Sequence, residues 1–214
     1  MTGGASTLIV LQEPVLREIA ERGNVKRYPA HTVLISEDDD ADTLYIILSG
    51  RVKVYASNES GKDVILSVLT AGDLVGEMAI DGGSRSASVM TLEPTSCAVV
   101  GGADLRAFIV AHPDFAHHLI LKLIARVRRL TGRVKSLALE DVYGRVVALL
   151  QATSEPDGEQ QRIVTQKMTQ QDIAEHVGSS REMVSRIFKE LTVGGYITVE
   201  GGRIRVLKTP PAAW

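Results

Sequence analysis

The chain has 214 residues, of which 44% are hydrophobic and 23% are charged, and its formal net charge at pH 7 is −2. This composition is typical of a globular protein with one large or two small domains, and it contains no apolar run long enough to cross a membrane. The single cysteine, Cys97, excludes an internal disulfide and any cluster of thiolate ligands supplied by one chain. Because the opening residues lack the basic segment of a secretion signal, we expect a cytoplasmic protein.

Residues 1–112 are predicted to form a jelly-roll-like β-roll. After an amphipathic helix near residues 13–22, short β-type runs alternate with turns, which is the pattern of a β-roll or β-barrel. We interpret Cys97, in the last of these runs, as a small buried hydrophobic residue. The runs lie at residues 32–36, 43–48, 51–55, 64–69, 86–91 and 96–100.

Within this part, residues 72–88 (GDLVGEMAIDGGSRSAS) form a candidate anion site. Amide groups at a helix start attract anions, Arg85 can neutralise a phosphate, and Ser86 can donate a hydrogen bond to it. Glu77 can accept a hydrogen bond from a sugar hydroxyl. A glycine-rich turn with a surface arginine explains the same residues, and the segment alone leaves both interpretations open.

A long helix is predicted over residues 113–141, starting at Pro113, which is favourable in a first helical turn. Its apolar residues alternate by four and three, the rhythm of a coiled-coil seam, so we expect a parallel homodimer. The alternative is a helix packed entirely on its own domain. We interpret His112, His117 and His118 as surface or packing residues, and no metal site is predicted. The predicted seam consists of Ile120, Leu123, Val127, Leu130, Val134 and Leu137.

Residues 142–214 are predicted to form a winged helix-turn-helix, preceded by a helix through residues 147–150 and a polar loop at 154–161. The wing is predicted because two alternating strands flank Gly201 and Gly202, and both glycines can adopt positive φ in a tight hairpin turn.

The two helices of this motif are marked by their caps. Thr169 is a favourable N-cap, Gly178 permits the left-handed residue that ends a helix, and Ser179 or Ser180 can cap the next helix. The second helix then has an apolar stripe at i, i+3, i+4 and i+7. That stripe consists of Val184, Ile187, Phe188 and Leu191.

The opposite face of the second helix has groups that can read base edges. Arginine donates two hydrogen bonds to guanine, and glutamate accepts one from the cytosine amino group, which suits Arg181, Glu182 and Arg186 to a DNA major groove. An ordinary helical hairpin with a solvated charged face is the alternative. The wing favours the DNA-binding interpretation.

Two motifs resemble a known superfamily. GEMAIDGGSRSAS resembles the phosphate-binding cassette of cyclic-nucleotide-binding domains, and TQQDIAEHVGSSREMVSRIFKEL resembles the DNA-reading motif of the cyclic AMP receptor protein and fumarate-nitrate regulator superfamily. The resemblance covers essentially the whole chain. It implies a fold with a β-roll at residues 1–112, a dimerisation helix at 113–141 and a winged helix-turn-helix at 142–214.

The resemblance also implies roles in the β-roll. Glu77 would bind the ribose 2′-hydroxyl, and Arg85 and Ser86, with the backbone of Gly76, would bind the cyclic phosphate of cyclic AMP (cAMP) or a related nucleotide. Arg85 is expected to serve the ligand, so that its removal leaves the fold intact. Where the cyclic AMP receptor protein has a Thr-Ser pair at the adenine, this chain has Leu130 and Thr131, so Thr131 is the remaining candidate contact.

The resemblance implies that the DNA-contacting residues would read palindromic TGTGA-like half-sites. Lys189 would contact a base or a phosphate, and RNA polymerase would be a further partner. The complete predicted DNA-binding set is Thr169, Gln170, Ser180, Arg181, Glu182, Arg186 and Lys189.

These features predict a homodimeric, cytoplasmic, DNA-binding transcription regulator under allosteric control by a cyclic nucleotide. Within the same class, the alternative is a regulator whose pocket binds cyclic di-GMP, another metabolite or nothing. A different class would be an effector-binding dimer whose helix-turn-helix contacts only proteins. An enzyme is not predicted, because no nucleophile–base pair or carboxylate pair has a convincing spacing.

Overall fold

The computed structural model describes Leu11 and residues 13–59, 61–157 and 161–211. The helices are α1 (Pro14–Glu21), α2 (Gly102–Ala111), α3 (Pro113–Leu139), α4 (Val142–Ala152), α5 (Gln170–Val177) and α6 (Arg181–Val193). The strands are β1 (Asn24–Tyr28), β2 (Val33–Ile35), β3 (Thr43–Ser49), β4 (Arg51–Ser57), β5 (Asp63–Thr70), β6 (Leu74–Val75), β7 (Ser88–Thr91), β8 (Thr95–Gly101), β9 (Ser154–Pro156), β10 (Arg162–Val164), β11 (Ile197–Glu200) and β12 (Arg203–Val206). These elements confirm the predicted α+β class, with N-terminal sheets, a long central helix and a C-terminal helix-turn-helix.

The chain contacts divide into two compact units. Of the described residues, the first unit contains Leu11, 13–58 and 65–127, and the second contains 59, 61–64, 128–157 and 161–211. The predicted domain boundaries after residues 112 and 141 remain predictions.

The first unit is built on two antiparallel four-stranded sheets, in the orders β1-β8-β3-β6 and β2-β7-β4-β5. The inward side chains alternate along the strands, so that a dry core fills the space between the sheets. Cys97 belongs to this core and is fully buried, as predicted. Burial raises the pKa of its thiol to about 12, which makes the thiol inert. The core between the sheets consists of Ile35, Ile47, Val52, Leu69, Val75, Val89 and Cys97.

Helices α1 to α3 cover one side of this unit and complete a second core around Phe108 and Phe115. Two carboxylate–imidazole pairs connect α1 and the residue before it to residues at the start of α3. His118 Nδ1 lies 2.5 Å from Glu13 Oε2, and His112 Nδ1 lies 3.5 Å from Glu18 Oε2. His112 and His118 therefore pack against α1. His117 is exposed, and among the described residues no three metal-ligating side chains come together.

The second unit packs α4, α5 and α6 against a sheet of order β11-β12-β10-β9. The prediction of a loop at residues 154–161 is wrong in part, because Ser154–Pro156 forms a strand that pairs with Arg162–Val164. The apolar stripe predicted for α6 faces the core, where Val184, Ile187, Phe188 and Leu191 are buried. Three more members of that core, Ile197, Ile204 and Val206, come from the wing strands.

None of the helices in the described parts of the chain combines the length and hydropathy needed to span a bilayer. Residues 1–10, on which the expectation of no secretion signal rests, lie outside the described residues.

Candidate functional site

The candidate phosphate-binding segment starts at a left-handed glycine. Gly76 has φ 92°, and a Cβ at this position would lie 2.6 Å from the carbonyl oxygen of Thr43. Only glycine fits such a conformation and approach. A short 3-10 helix, Glu77–Ile80, follows at once, so the segment contains a helix start.

Arg85 is buried, with an exposed fraction of only 4%. Its Nη1 donates to the carbonyl of Gly76 at 3.0 Å, and its Nη2 donates to the carbonyl and hydroxyl oxygens of Thr43 at 2.9 and 3.1 Å. The guanidinium thus joins two separate segments of the β-roll. These bonds argue against the expectation that Arg85 serves the ligand alone, because buried carbonyl groups left without a donor cost stability.

Glu77 lies across the same cavity and forms an ion pair that the sequence did not predict. Its Oε1 accepts from Nη1 of Arg126 on α3 at 2.5 Å, and Arg126 Nη2 donates to the carbonyl of Leu74 at 3.2 Å. The other carboxylate oxygen, Glu77 Oε2, is buried and accepts no hydrogen bond from the described residues. Such an orphaned acceptor is rare in folded proteins, and it is the group that a sugar hydroxyl would satisfy.

The cavity between these residues has a volume of about 50 Å³. Gly76, Glu77, Arg85 and Ser86 all line it, so four residues of the predicted effector set come together. The fifth, Thr131, is not among the lining residues and belongs to the second unit. The remaining walls are largely apolar and consist of Ile35, Val54, Val75, Met78, Ala87 and Val89, with Arg126 as a second guanidinium.

Local hydrogen bonds fix the helix-turn-helix as its cap residues predicted. Thr169 and Asp172 form a capping box, in which the Asp172 amide donates to Thr169 Oγ1 at 3.1 Å and the Thr169 amide donates to Asp172 Oδ2 at 2.7 Å. Gly178 ends α5 in the left-handed conformation, with φ 65°. Ser180 rather than Ser179 caps α6, accepting from the Met183 amide at 3.2 Å.

The face of α6 opposite its buried stripe is exposed. At about 100° per residue, the four side chains predicted to contact DNA through this helix lie within one arc of about 140°. These side chains are Arg181, Glu182, Arg186 and Lys189, and all four are exposed. A single face of this width is what a major groove can accommodate.

The environment of Glu182 favours the ionised form of its carboxyl group. Its own backbone amide and the hydroxyl of Ser180 lower the pKa of the carboxyl group, and Arg181 and Arg186 lower it further. The side chain therefore stays ionised, the form that accepts a hydrogen bond from a cytosine amino group.

The predicted wing is present. Strands β11 and β12 pair from Ile197 with Val206 to Glu200 with Arg203. Gly201 and Gly202 between them have φ values of 57° and 75°, the positive values that this tight turn requires.

The predicted seam on α3 is largely exposed in one chain. Five of its six members have exposed fractions between 39% and 67%, while Leu123 packs against the core of the first unit. An apolar helix face left to water is unfavourable, which is consistent with a seam between two copies. The exposed members are Ile120, Val127, Leu130, Val134 and Leu137.

Arg126 is the residue of this site that sequence reasoning missed. It lies 49 positions after Glu77, on a helix interpreted only through its apolar seam. The sequence has no signal that singles out Arg126, because every cation of α3 from Lys122 to Lys135 lacks an acidic neighbour one turn away.

Two family models match the chain. A cyclic nucleotide-binding domain matches residues 25–112, and a Crp-like helix-turn-helix domain matches residues 144–210. The first range contains the cavity with Glu77 and Arg85, and the second contains α5, α6 and the wing.

Curated relatives match over almost the full length. The chain is 34% identical over 206 residues to the cAMP-activated global transcriptional regulator CRP of Pasteurella multocida, covering 92% of this chain and 96% of that protein. The regulator of the same name from Escherichia coli gives the same identity and coverage.

Solved structures share the fold. The cyclic di-GMP responsive global regulator CLP of Xanthomonas campestris has a TM-score of 0.82 and 25% identity, covering 92% of this chain and 99% of that chain. With its cyclic nucleotide-binding domain, its Crp-like helix-turn-helix and these relatives, the chain belongs to the CRP/FNR family of DNA-binding transcription regulators and is not an enzyme.

Proposed function

We propose that this regulator is a homodimer that reads palindromic TGTGA-like half-sites under the control of cAMP bound in the β-roll. The observation that supports the nucleotide assignment is Glu77 Oε2, a buried acceptor without a hydrogen-bond donor among the described residues. It belongs to a residue that lines the same cavity as Arg85. A ribose 2′-hydroxyl supplies the missing donor. The relatives named for activation by cAMP support the choice of nucleotide.

The charges of the cavity suit one phosphate. A guanidinium has five N–H groups, and the three bonds of Arg85 to Gly76 and Thr43 leave two for a ligand. Ser86 adds an exposed hydroxyl at the rim. Of the two guanidinium groups that line the cavity, Arg126 is paired with Glu77, whereas Arg85 has a carboxylate only at 4.0 Å, from the largely exposed Asp42. Arg85 therefore keeps most of its charge for a singly charged cyclic phosphate.

Ligand entry requires side chains to move. A volume of about 50 Å³ holds one or two water molecules, which is far less than a nucleotide needs. Arg126 lines this cavity and is bonded to Oε1 of Glu77. The expansion that admits a ribose at Oε2 would therefore move this pair and displace α3 locally. A ligand that binds one arrangement better than the other shifts the population toward it, and this is the proposed route from the pocket to the dimerisation helix.

Two copies of the chain are proposed to associate through the exposed face of α3. A dyad between them places two recognition helices on half-sites about one helical turn of DNA apart. Such a regulator works where the DNA is, which for bacterial relatives is the cytoplasm, and RNA polymerase is its proposed partner.

Cyclic di-GMP is the second candidate effector. The favouring observation is the similarity to CLP, which is described as cyclic di-GMP responsive. The apolar Leu130 adds to this, because it offers no hydrogen bond to an adenine amino group.

Calorimetric titration with cAMP, cyclic GMP and cyclic di-GMP tests the effector. Saturable binding of cAMP supports the first proposal, and binding of cyclic di-GMP alone supports the second. Mobility shifts on a palindromic TGTGA duplex and on a scrambled duplex, with and without ligand, test the output. If the operator binds equally well in both states, nucleotide control is wrong; if the two duplexes shift equally, the proposed half-site is wrong.

A further inference from the structure

A third arginine contacts the 3-10 helix of the candidate nucleotide pocket. Arg106 lies on α2, and its Nη1 donates to the carbonyl of Ala79 at 2.8 Å. Ala79 is the third residue of the 3-10 helix Glu77–Ile80, and it is fully buried. Arg106 is not among the residues that line the nucleotide cavity, so any effect it has on a ligand passes through this helix.

The carbonyl of Ala79 has Arg106 as its donor because the backbone amides of the following turn are bonded elsewhere. The amide of Gly82 donates to the carbonyl of Met78 at 3.1 Å. The amide of Gly83 donates at 3.0 Å to the carboxylate two residues before it. The last carbonyls of a helix need partners from outside the helix, and a buried carbonyl without a donor is unfavourable. The guanidinium supplies that partner.

Helix α2 also approaches the 3-10 helix closely at its own start. Gly102, its first residue, is buried, and a Cβ there would lie 3.1 Å from the carbonyl oxygens of Ala79 and Asp42. The amide of Gly102 donates to the carbonyl of Asp42 at 2.6 Å. Arg106 lies about one turn further along α2. The end of the 3-10 helix is therefore packed against α2 and hydrogen-bonded to it.

Three guanidinium groups thus contact this short helix just before its start, at its first side chain and near its end. The three hydrogen bonds join Arg85 to Gly76, Arg126 to Glu77, and Arg106 to Ala79. Because the 3-10 helix has only four residues, a shift at its end is transmitted to its first side chain. That side chain is the carboxylate proposed to bind the ribose.

We propose that Arg106 is a positioning residue of the nucleotide pocket. By holding the end of the 3-10 helix, it fixes the direction in which the carboxylate of Glu77 faces a ribose hydroxyl. A group that is already in place spares the ligand the cost of ordering it. This role rests on the proposed nucleotide function, and it belongs to a residue outside the cavity.

Hydrogen exchange on the ligand-free, full-length protein tests whether Arg106 holds the helix. The amides of Ala79 and Asp81 donate to the carbonyls of Gly76 and Met78 at 3.0 and 3.2 Å. Arg106→Ala should accelerate exchange at both amides about tenfold, because a helix released at its end opens more often. The amides of β3 should exchange as in the wild type. Unchanged exchange at Ala79 and Asp81 would overturn the proposal.

Calorimetric titration with cAMP tests the effect on the ligand. Arg106→Ala should weaken binding about tenfold, the size expected for one charge-assisted hydrogen bond. Arg106→Lys keeps a charged donor, and a single carbonyl bond needs only one N–H group, so this variant should recover most of the loss. Arg22→Ala is the matched control, because it removes the same charge from a guanidinium that packs on α2, 5.1 Å from the centre of the Phe108 ring. It should bind cAMP like the wild type.

A double-mutant cycle separates positioning from a general loss of stability. If Arg106 acts through Glu77, Arg106→Ala should weaken binding by less than about threefold in the Glu77→Gln variant, because effects that pass through one group are not additive. Equal effects in both backgrounds, no recovery in Arg106→Lys, or an equal loss in Arg22→Ala would each overturn the positioning role while the wild type still binds cAMP. A wild type that does not bind cAMP would instead overturn the proposed function, and the positioning role with it.

Discussion

Arg126 Nη1 lies 2.5 Å from Glu77 Oε1, which connects the 3-10 helix of the candidate nucleotide pocket directly to the long helix α3. The same arginine also donates to the carbonyl of Leu74, next to the pocket. Two hydrogen bonds from one guanidinium fix its position. A ligand that moves Glu77 on binding would therefore act on α3 without an intermediate residue.

Glu77→Gln should weaken cAMP binding at least tenfold. The change removes the charge from the acceptor proposed for the ribose hydroxyl, and charged hydrogen bonds contribute about 1.5–3 kcal/mol. Calorimetry measures the effect. Glu93→Gln is the matched control, because Glu93 forms an ion pair with Arg51 at 2.8 Å in the same unit but does not line the cavity. An equal loss in both variants would contradict the assignment.

Arg85→Ala should reduce both ligand binding and stability. Its hydrogen bonds to Gly76 and Thr43 are lost in this variant, and each buried carbonyl left without a donor costs about 1–3 kcal/mol. Urea unfolding measures the loss, and calorimetry on the folded fraction measures binding. If the free energy of unfolding is unchanged, the guanidinium makes no net contribution to the stability of the fold.

Val134→Asp should dissociate the proposed homodimer. Val134 has an exposed fraction of 67% in one chain, and a dimer seam would bury the new charge at a cost of several kcal/mol. Sedimentation velocity gives the oligomeric state. Ala125→Asp, at an exposed position on another face of α3, should remain dimeric. A dimer that survives Val134→Asp would place the interface elsewhere.

Arg181→Ala should cost roughly 1–3 kcal/mol of affinity at one base pair of the half-site and relax specificity there. Mobility shifts on duplexes substituted at each position measure the effect. A uniform loss on all duplexes would instead identify Arg181 as a phosphate contact. Arg27→Ala, which removes an exposed arginine from β1, should leave DNA affinity unchanged.

The stability of the second unit should fall in mild acid. The pKa of His176 is lowered from the ordinary value of 6.5 by burial and by Arg133, so below that pH the unfolded state binds more protons than the folded state. Stability is therefore greatest above pH 6.5 and decreases as the pH falls through the lowered pKa. Urea unfolding across this range should show a weaker pH dependence for His176→Gln than for the wild type. His117→Gln, at an exposed position, should behave like the wild type.

The helix-turn-helix could be predicted from the sequence because its limits are encoded locally. Thr169, Gly178 and Ser180 each determine a cap through their own hydrogen bonds or backbone conformation. The wing is equally local, since Gly201 and Gly202 determine the turn.

Several elements could not be predicted because what forms them lies outside their own residues. Strand β6 has two residues and β9 has three, which is too short for an alternating pattern to be recognised. They are strands because a partner backbone pairs with them. Strand β1 is almost wholly exposed, so it has no apolar periodicity, and helix α2 directly follows β8 without a side-chain cap.

The candidate site also combines residues that are close in sequence with residues that only folding brings together. Gly76, Glu77, Arg85 and Ser86 are close in sequence and could be recognised together as a motif. Arg126 comes from another element, and only the folded chain brings it to Glu77. The structural role of Arg85, in addition to its proposed ligand binding, could not be predicted from the sequence either, because its partner Thr43 lies 42 positions away.

The buried thiol of Cys97 makes the native sequence a convenient background for distance measurements. Its pKa of about 12 and complete burial protect it from maleimide reagents at neutral pH, because these react with accessible thiolates. A cysteine introduced on the exposed face of α6 could therefore carry a single spin label without any cysteine having to be removed. In the proposed homodimer, pulsed EPR between two such labels would measure how far apart the two recognition helices lie with and without ligand.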